Sequence, residues 1–238
     1  MSEIYLIRHT TPAVAKGVCY GQTDLDTTDS LHEEADIIRQ HLPVVVGAVH
    51  SSPLRRCSQL AGLLFPGYPI AYHDELMEIH CGQWEMKKWD DLPPEEVGPW
   101  MKDFVQVRIP GGESYLDLHE RVTECFNRIR VFASAGPGPI TDAGAERPAS
   151  HAALSSGLPP SAAPAKMIVA HGGVIRSILS YITGTPLIDS FKVFSLHYGC
   201  VIRLFGEPDA LQYEILSNRA PEEREQHKPR NFYDGAGV

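Results

Sequence analysis

Glu3-Ile4-Tyr5-Leu6-Ile7-Arg8-His9 reads as a short strand buried along its length, an unbroken run of β-forming apolar residues that stops at Arg8 and His9. Working outward, the pattern recurs. Val44 to Val49 is a second run of this type and Lys166 to Ala170 a third, while Tyr198 to Phe205 and Leu211 to Leu216 read as closing strands. Stretches with helical spacing lie between them. One starts near Asp29 or Ser30 and carries Ala35, Ile37, Ile38 and Leu42 on its apolar side. In the next, Ser52 is the expected cap, Pro53 suits the first turn, and Leu54, Cys57, Leu60, Ala61 and Leu64 share a face. Ser114 is expected to cap a third, with Leu118, Val122, Cys125 and Ile129 at helical spacing. A fourth is expected from about Val174 to Ile182, after a Gly172-Gly173 turn. Strands alternating with helices predict a three-layer α/β fold, a mostly parallel sheet with helices on both faces.

Two stretches break the alternation. Pro69 to about Phe104 is punctuated by Gly and Pro and holds all three tryptophans; it reads as a long insertion over one sheet edge, with short helices. Residues 134–165 differ in kind, because Ala, Pro, Ser and Gly fill 24 of the 32 positions (9, 6, 5 and 4). Such a composition cannot bury enough to offset its ordering entropy, so a loosely held loop is expected there. The organisation predicted is one domain over residues 1–218, carrying the low-complexity insertion at 134–165, followed by a polar tail at 219–238.

Composition excludes several classes of function. At 238 residues with 43% hydrophobic and 21% charged, the chain suits one α/β domain with a substantial core. Its net charge of −9 argues against nucleic-acid or anionic-membrane partners, which need a basic field. No apolar run reaches bilayer length, and no signal peptide precedes the first strand. Five scattered cysteines without a C-x-x-C pair read as reduced thiols of a cytoplasmic protein. A small anionic ligand held by a few arginines remains compatible with the acidic whole.

The chemistry gathers at strand ends. Of the eleven histidines, His32, His41, His119 and His227 sit among polar residues and read as exposed. His9 and His171 end two strands, and a parallel sheet delivers such ends to the edge where ligands of open α/β folds bind. Position alone leaves a buried structural pair as good a reading as a site. The neighbours add weight: Arg8 precedes His9, Arg56 follows the second strand, and Gly172 and Gly173 follow His171 at a helix start. Two arginines, helix N-terminal amides and two histidines make a site for a dianionic phosphoryl group. Arg55 reads as a solvated neighbour, and so does Glu78 from its acidic surroundings alone.

Arg8-His9-Thr10, Ser52-Pro53-Leu54-Arg55-Arg56, Glu78 within Glu78-Ile79-His80-Cys81-Gly82-Gln83-Trp84-Glu85, and Ala170-His171-Gly172-Gly173 occur in that order. Together they resemble the histidine phosphatase (phosphoglycerate mutase-like) superfamily over nearly the whole chain except residues 134–165 and the tail. Cys19 to Asp26, the Trp84-Glu85-Met86-Lys87 step and Pro110 to Ser114 are most similar to α-ribazole phosphatases. The resemblance implies a phosphomonoester hydrolase in which His9 attacks phosphorus and carries the phosphoryl group. Arg8, Arg56 and His171 would hold its oxygens. Glu78 would protonate the leaving alkoxide and then activate water. A histidine nucleophile must be neutral, which two nearby guanidinium groups favour. An acid must hold its proton beforehand, which partial burial or the substrate's charge favours. Thr10 stands where the family usually has glycine, narrowing the phosphate pocket or adding a hydroxyl donor. Tyr20, Gly21, Gln22, Thr23 and Gly172 join Thr10 as expected substrate-binding residues.

No His/Cys/Asp/Glu cluster with ligand spacing is visible, so neither metal nor cofactor is expected in the reaction. The expected partner is a small phosphorylated metabolite, and the expected state a monomer or homodimer. Two competing readings stand beside the hydrolase: phosphoglycerate mutase-type transfer by the same histidine, and a non-catalytic phosphate-binding scaffold.

Overall fold

Strand β1 (Ile4–Arg8) is buried at every position, and its side chains alternate between two cores. Ile4 and Leu6 enter a core shared with Leu118 and Val122 of helix α4 (Tyr115–Val131) and Ile175 and Ile178 of α5 (Gly172–Thr183). Tyr5 and Ile7 enter another, shared with Ala35 and Ile38 of α1 (Leu31–Arg39) and Cys57, Leu60 and Leu64 of α2 (Arg55–Leu64). Helices therefore cover both faces, and this computed structural model, which describes residues 3–131 and 164–220, has the three layers expected. Leu6 is fully buried, so Leu6→Ala should cost about 2–5 kcal/mol.

The remaining strands are β2 (Val46–Ser51), β3 (Ile70–Tyr72), β4 (Ala165–Ala170), β5 (Val201–Glu207) and β6 (Ala210–Ser217). They pair in the order β3-β2-β4-β1-β5-β6. The first four run parallel; β5 is antiparallel to β1, and β6 to β5. The register sets Arg8 against Ala170, so the residues that follow, His9 and His171, leave adjacent strands at the same edge.

Several boundaries differ from the expectation. Val44 and Val45 are exposed and precede β2, because the pairing with β4 begins only at Val46. Helix α2 starts at Arg55 with Leu54 at the cap position and no side-chain cap; the Ser52 hydroxyl, two residues upstream, accepts the Leu54 N–H at 3.4 Å and meets His171. Helix α5 starts at Gly172, so the two glycines form its first turn instead of a separate one. Tyr198 lies in the turn before β5. The Ser114 cap is as expected: Asp117 accepts the Ser114 N–H at 2.7 Å and returns its own N–H to the hydroxyl at 3.2 Å. The stretch after Pro69 contributes β3, three 3₁₀ turns and α3 (Pro94–Lys102). Trp84, Trp89 and Trp100 pack ring on ring inside the α4/α5 core, so this segment builds one face of the domain and does not simply lie over an edge. His119, expected to be exposed, is half-buried, with Nδ1 2.9 Å from the Ser177 hydroxyl. His41 is half-buried too, while His32 is exposed.

Residues 134–163 of the low-complexity segment, the tail from 221 and His227 lie outside the described residues. Ala165, counted with that segment above, is the buried first residue of β4. All five cysteines are buried, and none is in a disulfide. Among the described residues, no helix is long and apolar enough to cross a membrane.

Candidate active site

His9 is fixed by its backbone before its side chain is considered. Its N–H donates to the Ala170 carbonyl at 3.0 Å and its carbonyl accepts the Gly199 N–H at 3.1 Å, which pins it at the end of β1. The ring is 2% exposed, and Nδ1 lies 2.7 Å from the Thr10 carbonyl. A carbonyl can only accept, so Nδ1 carries the hydrogen, and in the neutral ring Nε2 carries the lone pair. The rings of His9 and His171 are 5.1 Å apart.

Arg8 and Arg56 flank the pair. Arg8 donates to the Leu196 carbonyl at 2.7 Å, and its guanidinium lies 4.1 Å above the Tyr198 ring. Arg56 is fully buried and has four contacts. Its Nη2 donates to the Gly21 carbonyl at 2.6 Å, Nη1 to the Thr23 carbonyl at 2.9 Å, and Nε to His171 Nδ1 at 3.3 Å; Tyr20 lies 5.5 Å from its guanidinium carbon. Burial first, and the Arg56 charge next, push the His171 pKa well below the ordinary histidine value. Its Nε2–H goes to the Ser52 hydroxyl at 2.8 Å, with Cys57 Sγ 3.4 Å away. Arg55 is exposed and pairs with Asp26.

Glu78 reaches the site from the loop after β3. Its Oε1 accepts the Ile79 N–H at 2.9 Å and its Oε2 accepts the Gly173 N–H at 3.0 Å, joining it to the first turn of α5. This contact explains Gly173: a Cβ there would stand 2.2 Å from Glu78 Oε1. Arg121 anchors the same loop, donating to the carbonyls of Glu75, Met77 and Glu78 and forming an ion pair with Glu113.

The five residues expected to carry the chemistry, His9, Glu78, His171, Arg8 and Arg56, thus sit at one sheet edge. The expected substrate-binding residues divide. Thr10 is buried beside His9, and its hydroxyl has no hydrogen-bond partner among the described residues. Gly172 packs against Arg8 and Arg176; a Cβ there would lie 3.3 Å from Arg8 Nε and 3.0 Å from Arg176 Nη1. Gly21, Gln22 and Thr23 direct their polar groups inward. Their N–H groups and the Thr23 hydroxyl converge on Glu85, which also accepts the Cys81 N–H. The Gln22 amide donates to the Glu78 carbonyl. Tyr20 meets Tyr198, hydroxyl to hydroxyl, at 2.6 Å beside the two arginines.

Sequence reasoning missed three of these roles. Ser52 read as a helix cap, Tyr198 as a strand residue, and Glu85 as part of a motif with no task. A buried-strand pattern gives no sign that a turn residue will cover Arg8.

Paired histidines at adjacent parallel strand ends, flanked by buried arginines and a carboxylate on a helix N-terminus, define the class of α/β protein that handles phosphoryl groups. The chain belongs to the histidine phosphatase superfamily (branch 1), whose family model matches residues 4–136. This superfamily comprises phosphatases and mutases. A probable phosphoglycerate mutase, GpmB, of Salmonella paratyphi C is 28% identical over 195 residues, covering 78% of this chain and 77% of its own. Among solved structures, the α-ribazole phosphatase from Shigella flexneri matches with a TM-score of 0.71 at 21% identity, over 90% of this chain and 95% of that one. A mycobacterial glucosyl-3-phosphoglycerate phosphatase matches at 0.65 with 16% identity, over 96% and 100%. These structures share the fold.

Proposed function

We propose that the protein hydrolyses small phosphate monoesters through a phosphorylated His9. The observation that carries this reading is the Nδ1 contact of His9 with the Thr10 carbonyl at 2.7 Å, which directs the ring's lone pair to Nε2 between two arginines. In the proposed reaction Nε2 attacks phosphorus in line, forming an N–P bond as the P–O bond to the alkoxide breaks. Glu78 gives the alkoxide its proton, then takes one from the water that cleaves the N–P bond. Arg8 and Arg56 neutralise the equatorial oxygens. The neutral His171 fixes the direction of Arg56 and adds no positive charge of its own.

Hydrolysis is favoured over transfer because the Gly82-Gln83-Trp84-Glu85 step resembles that of phosphatases more than that of mutases. The likeness to α-ribazole and glucosyl-3-phosphoglycerate phosphatases makes sugar-linked phosphomonoesters the first substrates to try, α-ribazole 5′-phosphate among them. The mutase relative favours a second reading, phosphoryl transfer between hydroxyls of a sugar acid. Comparing phosphate release with 3-phosphoglycerate mutation separates the two. Turnover of p-nitrophenyl phosphate separates either from a phosphate-binding scaffold. The central test is a rapid quench without acid: an acid-labile, alkali-stable phosphoenzyme is expected, and a label that survives His9→Ala would overturn the assignment.

A further inference from the structure

We propose that His73, Glu75 and Cys125 form a binding site for a divalent ion of the zinc class, between the loop that follows β3 and helix α4. A ring nitrogen of His73, a carboxylate oxygen of Glu75 and the Cys125 thiol all lie within 4.8 Å of one another. No ligand spacing was visible in the sequence because the donors come from opposite sides of a helix–loop contact, two from the loop and the third from α4. Imidazole, carboxylate and thiolate together are a zinc donor set. With metal–ligand bonds of about 2.0–2.3 Å, tetrahedral donors stand about 3.3–3.8 Å apart, so the widest separation must close by no more than about 1.5 Å.

The surroundings fit an ion. His50 Nδ1 lies 3.0 Å from His73 Nε2, a second imidazole that orients the first, as partners of metal-bound histidines commonly do. A cysteine binds a metal as the thiolate, so binding exchanges the Cys125 S–H bond for a metal–sulfur bond and releases that proton to solvent. The other charges facing the cluster are Arg128, Glu124 and, beside His50, Lys166. Arg128 pairs with Glu75 and also meets the Cys125 thiol, so an ion must displace it from both; it keeps Glu124, 3.0 Å away. The ion would tie to α4 the segment that runs on to Glu78, while none of its three donor side chains belongs to the phosphate site.

The test uses the full chain stripped of metal and titrated with Co²⁺ alone, then with Zn²⁺ against a chromophoric chelator. One Co²⁺ per chain is expected, with a sulfur-to-cobalt charge-transfer band and four-coordinate d–d bands. In weak buffer, binding should release the Cys125 proton. Cys125→Ser should abolish the charge-transfer band. The half-buried His73→Ala, which spares the core if Cys125→Ser fails to fold, should weaken binding at least tenfold. His50→Ala should weaken it about 10–100-fold. A six-coordinate cobalt spectrum without the sulfur band, or unaltered affinity in folded His73→Ala, would overturn the proposal.

Discussion

Arg56 donates from Nε to Nδ1 of His171 across 3.3 Å, and this bond decides which His171 nitrogen carries the hydrogen. With Nδ1 accepting, Nε2–H must donate, and it finds the Ser52 hydroxyl at 2.8 Å. Ser52→Ala leaves that donor without its oxygen in a fully buried place. Leaving such a group unsatisfied costs about 1–3 kcal/mol. Ser52→Ala should therefore lower the melting temperature and cut kcat/KM by about tenfold. Unchanged kinetics would show that the tautomer of His171 is set without Ser52.

Acid should loosen the fold through its buried histidines. His50, His73, His119 and His171 all have pKa values below the ordinary histidine value of 6.5, burial being the first cause in each. Between the folded and unfolded values the unfolded chain binds more protons, so stability rises with pH across that window. The contribution is complete above about pH 6.5 and is lost as pH falls, for His50 towards about 4. Glu75, Glu85, Glu113 and Asp117 have lowered values, so their contributions are lost as pH falls below their ordinary values of 4.5 and 3.8. Thermal melts from pH 7.5 to 5 should show a steady fall, shallower in His50→Gln. A flat profile would contradict the burial of these rings.

Thr10→Val should separate stability from activity. The Thr10 hydroxyl is buried without a hydrogen-bond partner among the described residues, a state that costs free energy in the folded protein. Valine keeps the shape and removes that cost, so the melting temperature should hold or rise. If the hydroxyl donates to a phosphoryl oxygen, kcat/KM should fall about tenfold, the worth of one hydrogen bond to a charged group. Unaltered kcat/KM in the variant would reduce Thr10 to a wall of the pocket.

What was legible in the sequence follows from what sequence patterns encode. Leu6, Ile7, Ile168 and Val169 are buried because both faces of β1 and β4 are covered, and an unbroken apolar run records that directly. His9 and His171 were legible because strand ends are. Val44 and Val45 look the same as Val46 in the sequence, since only the register with β4 decides where pairing begins. The segment after Pro69 was harder still. Its tryptophans pack by tertiary contact, and neither period marks such residues. Glu85 could not be placed, because four of its five donors are the backbone N–H groups of Gly21, Gln22, Thr23 and Cys81, and an N–H has no letter.

Glu85→Gln tests that last arrangement. Every group that meets the Glu85 carboxylate is a donor, four N–H groups and the Thr23 hydroxyl. An amide replaces one acceptor oxygen with an NH₂ that faces N–H groups, and the loop must shift. The Gly21 and Thr23 carbonyls that hold Arg56 shift with it. Activity should fall about 10–100-fold, equivalent to about 1–3 kcal/mol, although Glu85 need not touch the substrate. Glu85→Asp, which keeps the charge, should recover part of it. Equal activity in the Gln variant would show that Arg56 does not depend on this loop.

The role of Glu78 is open to a test by leaving group. Its carboxylate is held by the N–H groups of Ile79 and Gly173, and Gly173 has no room for a Cβ, which would stand 2.2 Å from Oε1. Glu78→Gln preserves the size but cannot give a proton to an alkoxide. Gly173→Ala preserves the carboxylate but drives it from its place. If Glu78 is the acid, both variants should lose about 10²–10⁴-fold in kcat/KM on alkyl phosphates, the usual worth of general acid help. In kcat/KM, which reports the phosphorylation step and not the later hydrolysis, both should lose far less on p-nitrophenyl phosphate, whose leaving group departs without a proton. Gly173→Ala should also retain a phosphoenzyme on His9 with the activated substrate, since attack does not require Glu78. Its breakdown should be slow, because the water that ends the cycle has lost its base. Equal losses in kcat/KM on both substrate types would assign Glu78 to holding Gly173 and the start of α5, and proton transfer to another group.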